Sequence, residues 1–166
     1  MSTVRMTLNG SALRTEVEPR TSLADFLREQ MNLTATHLAC EHGVCGACTL
    51  LLNGEPVRGC LTLAVACEGA DVRTLEGLRD DKVMRVLVEA FHENHGLQCG
   101  FCTPGMLVTA RDLILRGKAV SDREIRLGLS GNLCRCTGYT SIVDSIRKAS
   151  EALETADGRA SSPAAE

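Results

Sequence analysis

Cys40-Glu41-His42-Gly43-Val44-Cys45-Gly46-Ala47-Cys48 places three cysteines in nine residues, and a further thiol, Cys60, follows. The spacing is C-x4-C-x2-C with a remote fourth cysteine. A tight loop can reach three of the four terminal positions on a pair of bridged metal ions. The last must come from an element folded back over the loop. Gly43 and Gly46 are interleaved with the thiols. They let the backbone take cramped or left-handed conformations and bring N–H groups close to sulfur. Cysteines that only pack have no need of glycines at this density. The stretch therefore reads as the binding loop of a 2Fe–2S cluster, with Cys40, Cys45, Cys48 and Cys60 as ligands.

The chain around this loop has 166 residues, 44% of them hydrophobic and 23% charged, which is globular and enough for one ordinary domain or two small ones. With three Phe, one Tyr and no Trp, the core has to be built from Leu, Val, Ile and Ala. So lean a core suggests that metal bound by the nine cysteines contributes stability. Residues Met1 to Leu13 are polar and alternating, unlike a secretory leader. No run reaches the roughly 18 apolar residues of a membrane span. A cytoplasmic location, where thiols stay reduced, is the expectation. The formal charge is −3 and the basic residues are scattered, which excludes a nucleic-acid footprint.

Upstream of the loop, Val4, Met6 and Leu8 alternate with polar partners. Asn9-Gly10 is a hairpin signal, and Leu13, Thr15 and Val17 continue the alternation. Ser22 and Asp25 match a capping box for a helix whose apolar face is Leu23, Phe26, Leu27 and Met31. Downstream, Thr49 to Leu52 reads as a strand, and Asn53-Gly54 as a second hairpin turn. Val57 lies on the return that delivers Cys60. Leu61 to Cys67 is apolar and suits strand or helix, Gly69 turns the chain, and Val72 to Leu75 reads as a last strand.

From Asp80 the period becomes helical. Val83, Leu87, Ala90 and Phe91 share one face, with Gly96 as the stop. Thr103 and Pro104 suit the N-cap and first position of a second helix, which runs through Met106, Leu107, Leu113 and Ile114 to Gly117. Ser121 and Glu124 cap a third helix with Ile125 and Leu129. Ser141 and Asp144 match the same motif before a fourth, with Ile142, Ile146 and Ala149. The change of period near Gly77–Asp81 divides an α+β unit, residues 1–77, from a helical unit, residues 80–155. A tail, residues 156–166, has the composition of a disordered segment.

A second set of cysteines falls on predicted helix ends. Cys99-Gly100-Phe101-Cys102 precedes the second helix, and Cys134-Arg135-Cys136 follows the third. Neither pair completes a four-thiolate site alone, so the pairs share one. The partial positive charge of a helix N-terminus is expected to favour thiolate at Cys102. Ligand softness leaves zinc and iron–sulfur both open, although C-x-C is tighter than the usual zinc pairs. A redox dithiol at Cys99 and Cys102 lacks a surrounding βαβ pattern. Cys67 is left over, a small hydrophobe in an apolar run, on the same side as Leu61, Leu63 and Val65 if the run alternates.

With both sets in view, CEHGVCGACTL followed by Cys60, then GLQCGFCTPGM, then GNLCRCTGY, resemble the small iron–sulfur subunit of the molybdenum hydroxylases. That family comprises xanthine oxidase, aldehyde oxidoreductase and carbon monoxide dehydrogenase relatives, and the match covers roughly residues 3 to 150. The resemblance implies a β-grasp ferredoxin-like domain followed by a four-helix domain, each with one 2Fe–2S cluster. It implies a molybdopterin on a large subunit and FAD on a medium subunit, assembled as a dimer of heterotrimers. It places the helical-domain cluster nearest the molybdopterin and the other towards FAD. It also puts Gln98 and Cys136 beside the pterin. The substrate stays open among an aldehyde, an N-heteroaromatic ring, a purine and carbon monoxide.

His42 reads as a loop residue, since a Rieske site needs two histidines in place of cysteines. His37, His92 and His95 lack ligand spacing. Arg135 either raises the potential of the second site or only meets solvent, and Tyr139 packs. No nucleophile–base pair stands out, so substrate chemistry is expected on another chain. The reading is an electron-transfer subunit that is not catalytic alone. A free-standing ferredoxin-like carrier and a zinc-binding interaction module are the rival classes.

Overall fold

The computed structural model describes residues 1–117 and 121–156. Alternation sets its sheet. β1 (Ser2–Leu8) and β2 (Ser11–Val17) are joined through Asn9 and Gly10, whose φ values are 50° and 83°. This is the type I′ turn, whose twist matches antiparallel strands. The register pairs Met6 with Leu13 and Ser2 with Val17. β3 (Thr49–Leu52) and β4 (Glu55–Arg58) repeat the device through Asn53-Gly54. β5 (Asp71–Arg73) lies between the hairpins, parallel to β1 and antiparallel to β3, in the order β2-β1-β5-β3-β4.

β5 stops short of Leu75 for a local reason. The Asn9 side chain accepts from Thr74 N at 2.9 Å and donates to Thr74 Oγ1 at 3.0 Å, so the ladder loses its next donor. Leu75–Leu78 then forms a 3-10 turn. The apolar run after Cys60 is neither strand nor α-helix. It breaks into the 3-10 turns Gly59–Leu61 and Ala64–Cys67 around a single bridge between Ser22 and Leu63. Leu61 and Leu63 are exposed and Cys67 is fully buried, so the expected alternation does not hold there.

The Ser22 cap forms as read, its hydroxyl accepting from Asp25 N at 3.1 Å and donating to Asp25 Oδ2 at 2.6 Å. α1 (Leu23–Asp25) then widens into a π-helical turn, Phe26–Gln30, closed by Met31 N on Phe26 O at 3.3 Å. Arg28 donates to the Thr34 and Thr36 carbonyls and holds the chain that leads to Cys40.

In the helical half, Asp81 caps α2 (Lys82–Glu93), accepting from Met84 N at 2.9 Å. The buried face begins at Met84 rather than Val83 and continues through Leu87, Ala90 and Phe91. The left-handed residue that ends α2 is His95, at φ 53°, not Gly96. Gly96 answers a different need: a Cβ there would stand 2.6 Å from Ser145 Oγ. α3 (Thr103–Leu115) has Cys102, not Thr103, at its N-cap, with no side-chain cap bond. At α4 (Asp122–Gly128) the Ser121 hydroxyl caps the helix, accepting from Glu124 N at 3.3 Å and donating to Glu124 Oε2 at 2.8 Å.

α5 (Thr140–Ala156) begins before Ser141, so the expected Ser141–Asp144 cap does not form. Tyr139, left-handed at φ 71°, turns the chain into the helix instead, while Ser141 O accepts from Ser145 Oγ and Asp144 faces Arg147. Beyond Ala156 the expected disordered tail lies outside the described residues.

β3 joins the two halves. Leu50 packs in the core under the sheet with Phe26, Leu27, Cys67 and Val72, and Leu51 packs in the helical core with Met106, Phe91, Ile142 and Ile146. Adjacent residues on a strand point to opposite faces, so β3 is buried on both. The fold is α+β.

Candidate metal centres

In the first cysteine loop three left-handed residues, Glu41, Gly43 and Gly46, wrap the chain tightly. Cys40 Sγ accepts from His42 N at 3.4 Å and Cys45 N at 3.3 Å. These N–H groups, His42's first, bring the Cys40 thiol down to about 6. The Cys45 thiol is in hydrogen-bond contact with it. Cys60 is returned by β4 and the turn after it. Burial and contact with the Cys48 thiol push Cys60 up to about 11, with Gly43 N–H acting the other way. The set is therefore assembled two by two, Cys40 with Cys45 and Cys48 with Cys60.

The second set is assembled in the same manner from separate segments. Cys136 and Cys99 have their sulfurs 3.5 Å apart. Cys102 is in hydrogen-bond contact with Cys134. Burial, then that contact, pushes the Cys102 thiol up to about 12, against the pull of the α3 N-terminus towards thiolate. Burial also raises Cys134, but Thr137 outweighs it through Oγ1 at 3.2 Å and N at 3.5 Å, and the net shift is down. Cys99 is lowered, chiefly by the Phe101 N–H and by Cys136, and Cys136 is raised by the same sulfur contact. Tyr139 both packs and accepts, its hydroxyl taking a hydrogen bond from Cys134 N at 2.9 Å. Among the described residues no three ligand-type side chains close on a single-ion site.

Gln98 is exposed beside Cys99, so Gln98, Cys99 and Cys136 share an open rim. Arg135 is exposed between Cys134 and Cys136. Cys67 stays in the core under the sheet, its thiol raised by burial and 3.7 Å from Leu63 O.

The contact between the two sites rests on residues that carry no periodicity. Leu133 N donates to Cys45 O at 2.8 Å, one residue before Cys134. Asn132, fully buried, donates to Gly46 O at 3.1 Å and accepts from Thr109 Oγ1. A Cβ on Gly105 would stand 2.3 Å from Gly46 O, so α3 meets the loop backbone to backbone. His37 also crosses the gap. Its Nδ1 donates to Phe101 O at 2.7 Å, and its ring stacks on Phe101 at 4.7 Å, so it is no ordinary surface histidine. The only hint in the sequence is position, three residues before Cys40.

Two family models match: a 2Fe-2S iron-sulfur cluster binding domain over residues 6–82 and a [2Fe-2S] binding domain over residues 74–147. The chain is 53% identical to caffeine dehydrogenase subunit gamma of Pseudomonas sp. (strain CBB1), over 92% of this chain and 93% of that one. It is 48% identical to the nicotine 6-hydroxylase small subunit of Paenarthrobacter nicotinovorans, over 84% of each. It superposes on a chain of quinoline 2-oxidoreductase from Pseudomonas putida 86 with a TM-score of 0.87 and 47% identity, covering 96% of this chain and 98% of that one. No helix among the described residues is long and apolar enough to cross a membrane. The paired thiols, the two matched domains and these relatives together put the chain in the family of small iron–sulfur subunits of molybdenum hydroxylases, subunits of multi-subunit oxidoreductases.

Proposed function

We propose that Cys40, Cys45, Cys48 and Cys60 hold one 2Fe–2S cluster in a β-grasp domain of residues 1–77. Cys99, Cys102, Cys134 and Cys136 hold another in a four-helix domain of residues 80–155. The observation that carries this reading is the pairing of thiols within each set. Two bridged irons each take two terminal thiolates, whereas one zinc ion draws all four to a point. Bound there, each cluster supplies one-electron transfer. The rest is the work of the chain. The N–H groups at Cys40 and the Thr137 hydroxyl at Cys134 stabilise negative charge on sulfur. Burial of Cys48 and Cys134 keeps water from one side of each site.

The chain relays electrons from a molybdopterin site on a large subunit to FAD on a medium subunit, in a dimer of heterotrimers in the cytoplasm. The rim of Gln98, Cys99 and Cys136 faces the molybdopterin, and the first loop faces the flavin. Nicotine, quinoline and caffeine, named in the relatives, all contain N-heteroaromatic rings, caffeine's being a purine. The substrate class favoured is accordingly an N-heterocycle rather than an aldehyde or carbon monoxide.

Native purification tests the reading. Molybdenum- and flavin-containing chains are expected to co-purify, and hydroxylase activity is expected to need all of them. Full activity from the isolated chain, or zinc in place of iron, contradicts it.

A further inference from the structure

Among the described residues, Arg58 sets a charged side chain between the two sites. Arg58 lies at the end of β4, two residues before Cys60. Its guanidinium donates to the Thr49 hydroxyl beside Cys48, to Gly131 O at 2.7 Å and to Asn132 Oδ1 at 3.5 Å. Gly131 and Asn132 lead directly into Cys134. A Cβ on Gly131 would stand 2.6 Å from Arg58 Nη2, so the bare backbone there admits the guanidinium.

All three acceptors are neutral. Arg5, Arg73, Arg111, Arg116 and Arg147 each sit against a carboxylate, and among the described residues Arg58 makes no ion pair. Its charge is therefore not cancelled locally. It is also half-buried, so solvent screens it less than the exposed Arg135. In a 2Fe–2S site the thiolates and sulfides outweigh the ferric irons, and each added electron increases the negative charge. Two such sites in hydrogen-bonded contact through Cys45 O and Leu133 N repel each other most when both are reduced.

We propose that Arg58 is the shared counter-charge of the two cluster sites and favours the reduced form of both. This rests on the function proposed above. Its geometry fits the role, since the fork is fixed by groups from each side of the contact, and a charge so placed acts on both sites at once.

Dithionite titration of the purified complex, followed by EPR, tests it in three variants. Arg58→Gln removes the charge. Arg58→Lys keeps the charge and loses the fork. Asn132→Asp leaves the arginine in place and sets a carboxylate against it. Both potentials are expected to fall in Arg58→Gln and Asn132→Asp and to stay near the wild-type values in Arg58→Lys. If Arg58→Gln loses iron, the comparison of Asn132→Asp with Arg58→Lys decides. Equal shifts in Arg58→Lys and Arg58→Gln, movement of one cluster alone, or unchanged potentials with iron retained overturn the inference. Absence of clusters from the wild-type protein instead overturns the proposed function, and this inference with it.

Discussion

The first cysteine site takes three of its thiols from nine consecutive residues, whereas in the second Cys99 and Cys136, whose sulfurs touch, lie 37 residues apart. One is a local wrap of left-handed residues closed by a hairpin return. The other exists only while α3, α4 and α5 hold their places. The thiols nevertheless end up paired in the same way. The sulfur arrangement is the same, and the two halves reach it with different amounts of tertiary structure. The first site should accordingly fail through its ligands, and the second through its packing.

The sharpest test of the first half is Cys60→Ala. It is expected to lose the iron of the first site and destabilise the sheet half, because metal binding is linked to folding. Iron analysis with circular dichroism checks this, and the second site should keep its iron. For the second half, Ile146→Ala removes a fully buried side chain from the helical core. It is expected to cost about 2–5 kcal/mol in chemical denaturation and to release iron from the second site first. Loss from the first site first would break the comparison.

A smaller effect is expected at Asp81, which caps α2 and pairs with Arg111 of α3 at 2.7 Å. Burial raises its carboxyl, but Arg111 and the Met84 N–H outweigh burial, and the net shift is down. A depressed carboxylate contributes stability above its unfolded value, about 3.9, and loses it as pH falls through the folded value. Asp81→Ala, which removes both the cap and the partner of Arg111, should therefore cost about 1–2 kcal/mol near neutral pH. Thermal melts against pH should show the difference from wild type closing as acid is added. The smallest effect is expected from Cys67→Ala, about 1 kcal/mol for a small buried truncation with no change in iron. Iron loss there would mean that the fourth ligand of the first site is misassigned.

What could be read in the sequence follows the same division. Asn9-Gly10, Asn53-Gly54, the Ser22 and Ser121 caps and the first loop are contiguous signals, and the structure carries each of them. The run after Cys60 misled because two 3-10 turns and one bridge interrupt its alternation. Ser141 misled because Tyr139 starts α5 before the capping motif can act. His37, set aside for want of ligand spacing, and Arg58 and Asn132, which carry no motif, escaped for a different reason. Their partners, Phe101, Gly131 and Gly46, are 64, 73 and 86 residues away, and no local pattern announces a contact made only by packing.

The most direct test of the central claim is iron and acid-labile sulfide analysis of the purified chain, joined to EPR after full reduction. Two complete four-cysteine sets in unlike surroundings predict iron and sulfide for two 2Fe–2S clusters and two distinguishable signals, each integrating to one spin. Zinc in the second set, or a single signal integrating to one spin per chain, would contradict it.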